Sequence, residues 1–376
     1  MVEWKTIEEI GSYFGGLTGK TKEDFEDGNG KFITYMNVFA NPSLNPSVVG
    51  VVKINEGEKQ NKIQKGDVLF TGSSETPEET GMSCVVTNDL EGDFYMNSFC
   101  FGLRLFAPEQ YNLHYLKHLL RSESVRKSIA KTASGVTRFN ISKARFSKIQ
   151  IPIPSLSEQT RIVEILDTFT ASIENLKEQI AERRKQYEHY RDQLLDLEGK
   201  EGVEIKTLPE ISINCDRERK PITSSKRISG VYPYYGASGI VDYVESYIFD
   251  GDYLLISEDG ANLIARTTPI AFSISGKNWV NNHAHVLRFN NKATQKFVEI
   301  YLNMISLEPW INGAAQPKLN QENLNRIEIP ILSLSEQSRI VSILDTFEAS
   351  IANLEAQLKE REKQYEYYRN KLLTFE

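Results

Sequence analysis

The residues best placed to do chemistry form four groups. Gly15-Gly16-Leu17-Thr18-Gly19-Lys20-Thr21 ends like a phosphate-binding loop, whose backbone amides cradle phosphates while a lysine reaches them. The full pattern needs a glycine at position 14, where Phe14 stands, and no clear strand runs in, so the stretch reads as an ordinary Gly-rich turn. His114 and His118 lie four apart on a predicted helix, on one face, but no acidic residue completes a His-Glu-x-x-His zinc pattern. His283 and His285 alternate on a predicted strand, a weak basis for a metal site. Asn41-Pro42 and Asn45-Pro46 lack the aromatic residue that follows in an amino-methyltransferase loop, and no Gly-x-Ser-x-Gly elbow occurs. The sequence therefore predicts no catalytic residue and no metal ligand set of its own.

What remains is positive charge in runs. From Lys117 to Lys148 nine basic residues (Lys117, Arg121, Arg126, Lys127, Lys131, Arg138, Lys143, Arg145, Lys148) face one acid, Glu123. Between Gly260 and Val298 stand Arg266, Lys277, Arg288, Lys292 and Lys296 with no acid, and Arg217, Arg219, Lys220, Lys226 and Arg227 form a third group. Such runs are either solvated surface or the electrostatic footprint of phosphate contact. The net charge of −7 argues against a polyanion partner only until it is divided. Residues 1–150 are net neutral and 199–328 carry −1, whereas 151–198 carry −4 and 329–376 carry −2. The acid sits in the two short segments, which leaves the long ones free to hold basic patches.

A length of 376 residues allows two or three domains. No apolar run reaches the eighteen residues of a membrane span, and the charged opening Met1-Val2-Glu3-Trp4-Lys5 does not read as a secretory signal. Three widely spaced cysteines, Cys84, Cys100 and Cys215, suit a reducing cytoplasm and exclude a disulfide framework.

An internal repeat orders the whole chain. Residues 151–198 and 329–376 are identical at 33 of 48 positions at a constant offset of 178. Gly135 matches Gly313 at the same offset, Val2–Thr6 resembles Val203–Thr207, and Gly66–Phe70 echoes Gly251–Leu255. The chain thus reads as a variable domain (1–150), a conserved helix (151–198), a second variable domain (199–328) and the helix again (329–376).

In both short segments apolar residues step by fours and threes. Leu166, Phe169, Ile173 and Leu176 in the first, and Leu344, Phe347, Ile351 and Leu354 in the second, lie on a heptad seam that predicts coiled-coil packing. Ser155 with Glu158, and Ser333 with Glu336, fit capping boxes at the helix starts, behind the prolines Pro152, Pro154 and Pro330. A lone striped helix of this length is poorly stable, and the nearest partner is its twin, paired antiparallel about an approximate two-fold. Arg183 and Arg361, the charged seam residues, either lay their stems along the seam or fix its register. The variable segments look α+β: Tyr232–Gly239 reads as turn-rich, Ile240–Tyr247, Tyr253–Ser257, Ser98–Phe106 and His285–Phe289 as strands, and Tyr111–Ile129 as helix.

This pattern resembles the specificity subunit of type I restriction–modification systems over essentially the whole chain. The likeness is carried by Ile151-Pro152-Ile153-Pro154-Ser155-Leu156-Ser157-Glu158-Gln159 and its copy Ile329–Gln337, by Tyr234-Tyr235-Gly236-Ala237-Ser238-Gly239, and by Gly313-Ala314-Ala315-Gln316-Pro317-Lys318-Leu319-Asn320. In the first half Arg138-Phe139-Asn140-Ile141 replaces the last of these, and no Tyr-Tyr-Gly-Ala stretch occurs. The resemblance implies two α+β target recognition domains of mixed sheet and helices, joined by an intramolecular antiparallel coiled coil. Each domain would read one half of an asymmetric, split double-stranded DNA target. Two methyltransferase subunits that bind S-adenosylmethionine would dock on the helices, and restriction subunits using ATP and magnesium would add to them. The chain itself would bind no cofactor and catalyse nothing, and its place would be the cytoplasm. Base or phosphate contacts are expected from Thr137, Arg138, Asn140, Lys143 and Arg145 in the first domain. In the second they are expected from Arg219, Lys220, Tyr234, Tyr235, Ser238, Asn281, Asn282, Gln316 and Lys318. The rival reading is a coiled-coil adaptor whose domains bind protein and show no DNA sequence preference.

Overall fold

The strand leading into each long helix is held extended by its prolines and by an edge partner. In the computed structural model, which describes residues 2–313 and 316–375, Gln150–Ile153 pairs antiparallel with Glu3–Thr6 and sets Pro152 opposite Trp4. Glu328–Ile331 repeats this with Glu204–Thr207, Pro330 facing Ile205. Proline is tolerated because both ribbons consist of edge strands. Thr6 with Glu9, and Thr207 with Glu210, then close a capping box on the short helices that follow.

The chain divides into two units, residues 2–177 with 356–375, and residues 178–355. Each therefore holds one variable segment and a part of both long helices. In the first unit a four-stranded antiparallel sheet runs in the order Gly11–Gly15, Cys100–Leu105, Val68–Thr71, Ser83–Val85. A second sheet places Gly30–Ile33 between Val49–Val52 and Phe94–Met96, the latter pair parallel. The core gathers Phe70, Leu103, Tyr115 and Phe146, and Ile162 and Leu166 of the first long helix join it. The second unit repeats the plan with Ser212–Asn214, Ala284–Phe289, Tyr253–Ser257 and Ala271–Ile274. Its second sheet orders Gly239–Val244, Ser229–Gly236, Lys277–Val280 and Phe249–Asp250, again with one parallel pair. Leu254, Phe297 and Leu302 form its core with Ile340 and Leu344. The α+β architecture read from the sequence is the one observed.

Three local expectations are corrected. Residues 111–129 form two helices, Leu113–Leu119 and Glu123–Ala130. Ser122 Oγ donates to the Leu119 carbonyl, and the freed Glu123 amide donates to Asn370 Oδ1, so the break is satisfied on both sides. Tyr232–Gly236 belongs to a strand, and only Ala237-Ser238 turns before Gly239, whose φ of +123° a side chain rarely adopts. The capping boxes of the long helices are half made: the Ser155 and Ser333 hydroxyls accept from the Glu158 and Glu336 amides, but those carboxylates pair with Arg161 and Arg339 instead.

The long helices span Leu156–Leu195 and Leu334–Leu372. In the first unit Phe169 stacks on Tyr368 at 5.2 Å and the Arg361 guanidinium lies over the Phe169 ring at 5.6 Å. In the second unit Phe347 stacks on Tyr190 at 5.3 Å, with Arg183 over Phe347 at 5.8 Å. Within each unit the early turns of one helix meet the late turns of the other, so the pairing is antiparallel. The seam arginines lie over an aromatic ring on the opposite helix, a cation–π contact at equivalent places in the two units. Of the eight seam residues, Leu166 and Leu344 are fully buried and Ile173 nearly so, but the first two are buried by the globular cores. Phe169, Leu176, Phe347, Ile351 and Leu354 are half-buried, because a seam of two helices leaves its flanks open.

Candidate nucleic-acid interface

In the first unit a hairpin pairs Ala133–Gly135 with Phe139–Ile141, and Phe139–Asn140 pairs on with Ser73–Ser74. Gly135 makes the turn: its φ is +154°, and a Cβ there would lie 2.0 Å from the Arg138 carbonyl oxygen. The tip, Val136-Thr137-Arg138, is exposed, as is Asn140. Arg138 Nε donates to Ser73 Oγ at 2.9 Å and its guanidinium lies over the Phe99 ring at 5.4 Å, so the group is aimed rather than free. A cleft opens between this tip and the helix Tyr35–Ala40, with Tyr35, Met36, Phe39, Ser73 and Glu75 among its lining. Lys143 and Arg145 are exposed on the short helix just beyond the hairpin.

The second unit builds the same corner. Asn312 and Lys318 pair across a hairpin at the position of Ser134 and Asn140, with Gly313 (φ +86°) in place of Gly135, and Lys318 also pairs with Asp259. Ala314 and Ala315 of the motif lie outside the described residues. Gln316 is exposed, and Lys318 Nζ stands 3.3 Å from Glu258. The adjoining cleft brings together Ser238, Asn281, Asn282, His283, Asn262 and Arg227. His283 Nδ1 sits 2.9 Å from both Asp259 carboxylate oxygens.

The structure gathers some expected residues and withdraws others. Tyr234 is 1% exposed, its hydroxyl accepts from the Ile222 amide, and Arg227 covers its ring at 4.4 Å, so it supports the cleft from beneath. Arg219 is spent inside the unit on Glu258, Asp216 and the Ala284 carbonyl. Tyr235 is half-buried, and its carbonyl accepts from the Asn281 amide; Lys220 is exposed. The basic runs shrink in the same way. Arg121 and Arg126 are half-buried and bound to main-chain carbonyls, with burial pulling both guanidinium pKa values down to about 10. Lys117 pairs with Asp167, Arg266 donates to the Leu302 and Asn303 carbonyls, and Lys296 pairs with Glu299. Contrary to the sequence reading, a strand, Gly11–Gly15, does run into the glycine-rich loop, but Lys20 donates to the Lys53 carbonyl and pairs with Glu58, which leaves the loop no phosphate role. Met36, Phe99, Asn262 and Asp259 escaped the sequence reading, whereas Arg227 was read only as one of a basic group and His283 only with His285 as a weak metal candidate, not as lining of the second unit's cleft.

His118 fastens the first domain to both long helices within its unit. Its Nε2 lies 2.7 Å from Asp167 and its Nδ1 2.8 Å from the Tyr365 hydroxyl, so Nε2 carries the proton and Nδ1 accepts. Burial pushes the imidazole below its ordinary value, although the bond to Asp167 opposes this. Burial raises the Asp167 carboxyl, but His118 and Lys117 outweigh it and hold it below the carboxylate range. Lys117 and Arg369 are the cations beside this group, and His114 Nδ1 lies 3.2 Å from Asp167. Below a pH of about 6.5 the unfolded chain takes up a proton that folded His118 refuses, so stability falls as the pH drops through that value and is constant in this respect above it. Unfolding titrations at pH 7.5 and 5.5 are expected to show this loss, and His118→Gln to remove its share.

Among the described residues no group of three His, Cys, Asp or Glu side chains is arranged to hold a metal ion, and no helix is long and apolar enough to cross a membrane. The cysteines are buried thiols, and burial raises Cys84 and Cys100 to about 12. Against known families, the model for the type I restriction modification DNA specificity domain matches twice, over residues 1–183 and 200–363. The chain belongs to this type I specificity family. A Haemophilus influenzae protein described as a type I restriction enzyme specificity subunit is 42% identical over 188 residues, 48% of each chain. The EcoR124I/EcoR124II specificity subunit of Escherichia coli is 31% identical over 264 residues, 62% of this chain and 65% of that one. This chain thus spans less than two thirds of either relative. Among solved structures, the type I restriction–modification S subunit from M. genitalium shares the fold with a TM-score of 0.60 at 18% identity, over 100% of this chain and 97% of that one. These type I relatives are named as specificity subunits.

Proposed function

We propose that this specificity-family chain reads an asymmetric, bipartite DNA target, one half-site per unit, and recruits the modification and restriction subunits that act on it. The observation that carries the reading is the corner built twice: a glycine-turned hairpin beside a cleft, lined differently in the two units. Two unlike readers call for two unlike half-sites. The long helices serve as a ruler, which makes the spacing of half-sites a geometric quantity near one duplex turn, about 10 bp centre to centre. Their exposed faces are the docking surface for two methyltransferase subunits. S-adenosylmethionine, and ATP with magnesium, belong to those partners and to restriction subunits, in the cytoplasm. Arg138, Lys143 and Arg145, and Lys220 and Lys318, supply phosphate contacts, while Thr137, Asn140, Ser238, Asn282 and Gln316 face base edges; Asn281 is buried and holds the turn that presents Asn282 and His283.

Arg138→Ala is expected to weaken DNA binding for all sequences alike and to reduce the slope of log affinity against log salt by about one. Binding isotherms at several salt concentrations measure this, and an unchanged slope removes Arg138 from the phosphate contacts. The chain alone, incubated with S-adenosylmethionine and DNA, should transfer no methyl group; transfer would contradict the non-catalytic role.

A further inference from the structure

The two clefts share a frame and differ in chemistry. Asn97 N–H donates to the Ile33 carbonyl at 3.0 Å, and its Oδ1 accepts from the Phe99 amide at 2.8 Å. Asn281 repeats both bonds, at 3.0 and 2.8 Å, with the Tyr235 carbonyl and the His283 amide. This turn seats Phe99 where the second unit has His283. On the facing wall Gly30–Ile33 runs through Thr34 into the helix Tyr35–Ala40, whereas Ser229–Gly236 runs into Ala237-Ser238. Met36 thereby takes the place of Ser238. Met36 is 60% exposed and Phe99 57%, so two large apolar groups stand uncovered where the second unit presents polar ones.

Their surroundings indicate what covers them. The Arg138 guanidinium rests on Phe99, and Lys143 and Arg145 stand exposed beyond the hairpin, a cationic border suited to a polyanion. Of the groups a duplex displays in its major groove, the thymine 5-methyl is the apolar one.

We infer that the first unit selects its half-site by apolar contact, with Met36 and Phe99 against thymine methyl groups, whereas the second selects by hydrogen bonds from Ser238, Asn282 and His283. This rests on the proposed reading that both clefts face duplex DNA. Met36 and Phe99 are then specificity-determining residues of the first half, and Arg138 holds the duplex against them.

The test selects binding sites from random duplexes with the full chain and its modification partner. The wild type is expected to choose a split sequence with thymine in one half-site. Met36→Ala with Phe99→Ala should lower discrimination at that half-site roughly tenfold and leave the other unchanged. Met36→Ser with Phe99→His should alter the same half alone. Replacing thymidine by deoxyuridine there removes the methyl group and should weaken wild-type binding but not binding by the double alanine variant; the wild-type arm does not depend on any variant folding. A half-site without thymine, equal binding of the deoxyuridine duplex by the wild type, or undiminished discrimination by the alanine variant overturns the inference. A split motif indifferent to both substitutions sinks only this inference, whereas no sequence preference in the wild type sinks the DNA-reading function as well.

Discussion

Arg121→Ala is expected to destabilise the first unit by about 3–5 kcal/mol while leaving the salt slope of DNA binding unchanged. The Arg121 guanidinium donates to the carbonyls of Ser83, Val38 and Phe39 from a largely buried position. Alanine would leave those acceptors without donors and open a void beneath the sheet edge. Each orphaned acceptor costs about 1–3 kcal/mol, and partial relaxation keeps the total below the sum. Arg121→Lys keeps the charge but loses the planar fork, so it should recover a minor share. Denaturant unfolding of the full chain measures the first effect and isotherms at varied salt the second. A stable variant with a shallower slope would place Arg121 at the DNA after all.

Inserting one heptad into each long helix is expected to cut affinity for the native target by at least about a hundredfold without unfolding the chain. Seven residues are two turns, so the seam keeps its phase and the Phe169–Tyr368 and Phe347–Tyr190 stacks survive in their own units. On the proposed ruler they add about 10.5 Å, close to three base pairs of duplex and roughly 100° of its twist. Both readers then cannot engage the native half-sites together, and the gain from joining them in one chain is lost. Circular dichroism controls for helix content, and binding to the native duplex measures the effect. Undiminished affinity would show that the helices do not set the spacing.

The frame was legible because its signals are local and repeated. The prolines before each helix, the four-and-three steps and the 178-residue offset each survive without knowledge of the fold, and Tyr253–Ser257 was read to the residue as a strand. The corner was half legible. Gly135 and Gly313 were seen to match at the repeat offset, but that each turns a hairpin, with the positive φ that favours glycine, came only from the structure. The cations were not sortable. Arg121 and Arg126 sit in the same basic run as Arg138, and nothing in spacing separates a guanidinium folded inward onto carbonyls from one aimed outward. Tyr234 erred in the opposite direction: an aromatic in a Gly-rich stretch looks presented, yet its strand turns it into the interior. Phe99 looked like any core aromatic beside a strand, and only the Asn97 turn exposes it.

The most direct test is selection from a random duplex library by the wild-type chain with the proposed modification partner, followed by sequencing of what is retained. Two different short motifs separated by a constant gap of unselected bases are predicted. Retention without sequence preference, or one uninterrupted motif, would contradict the reading of two unlike half-sites by two unlike units.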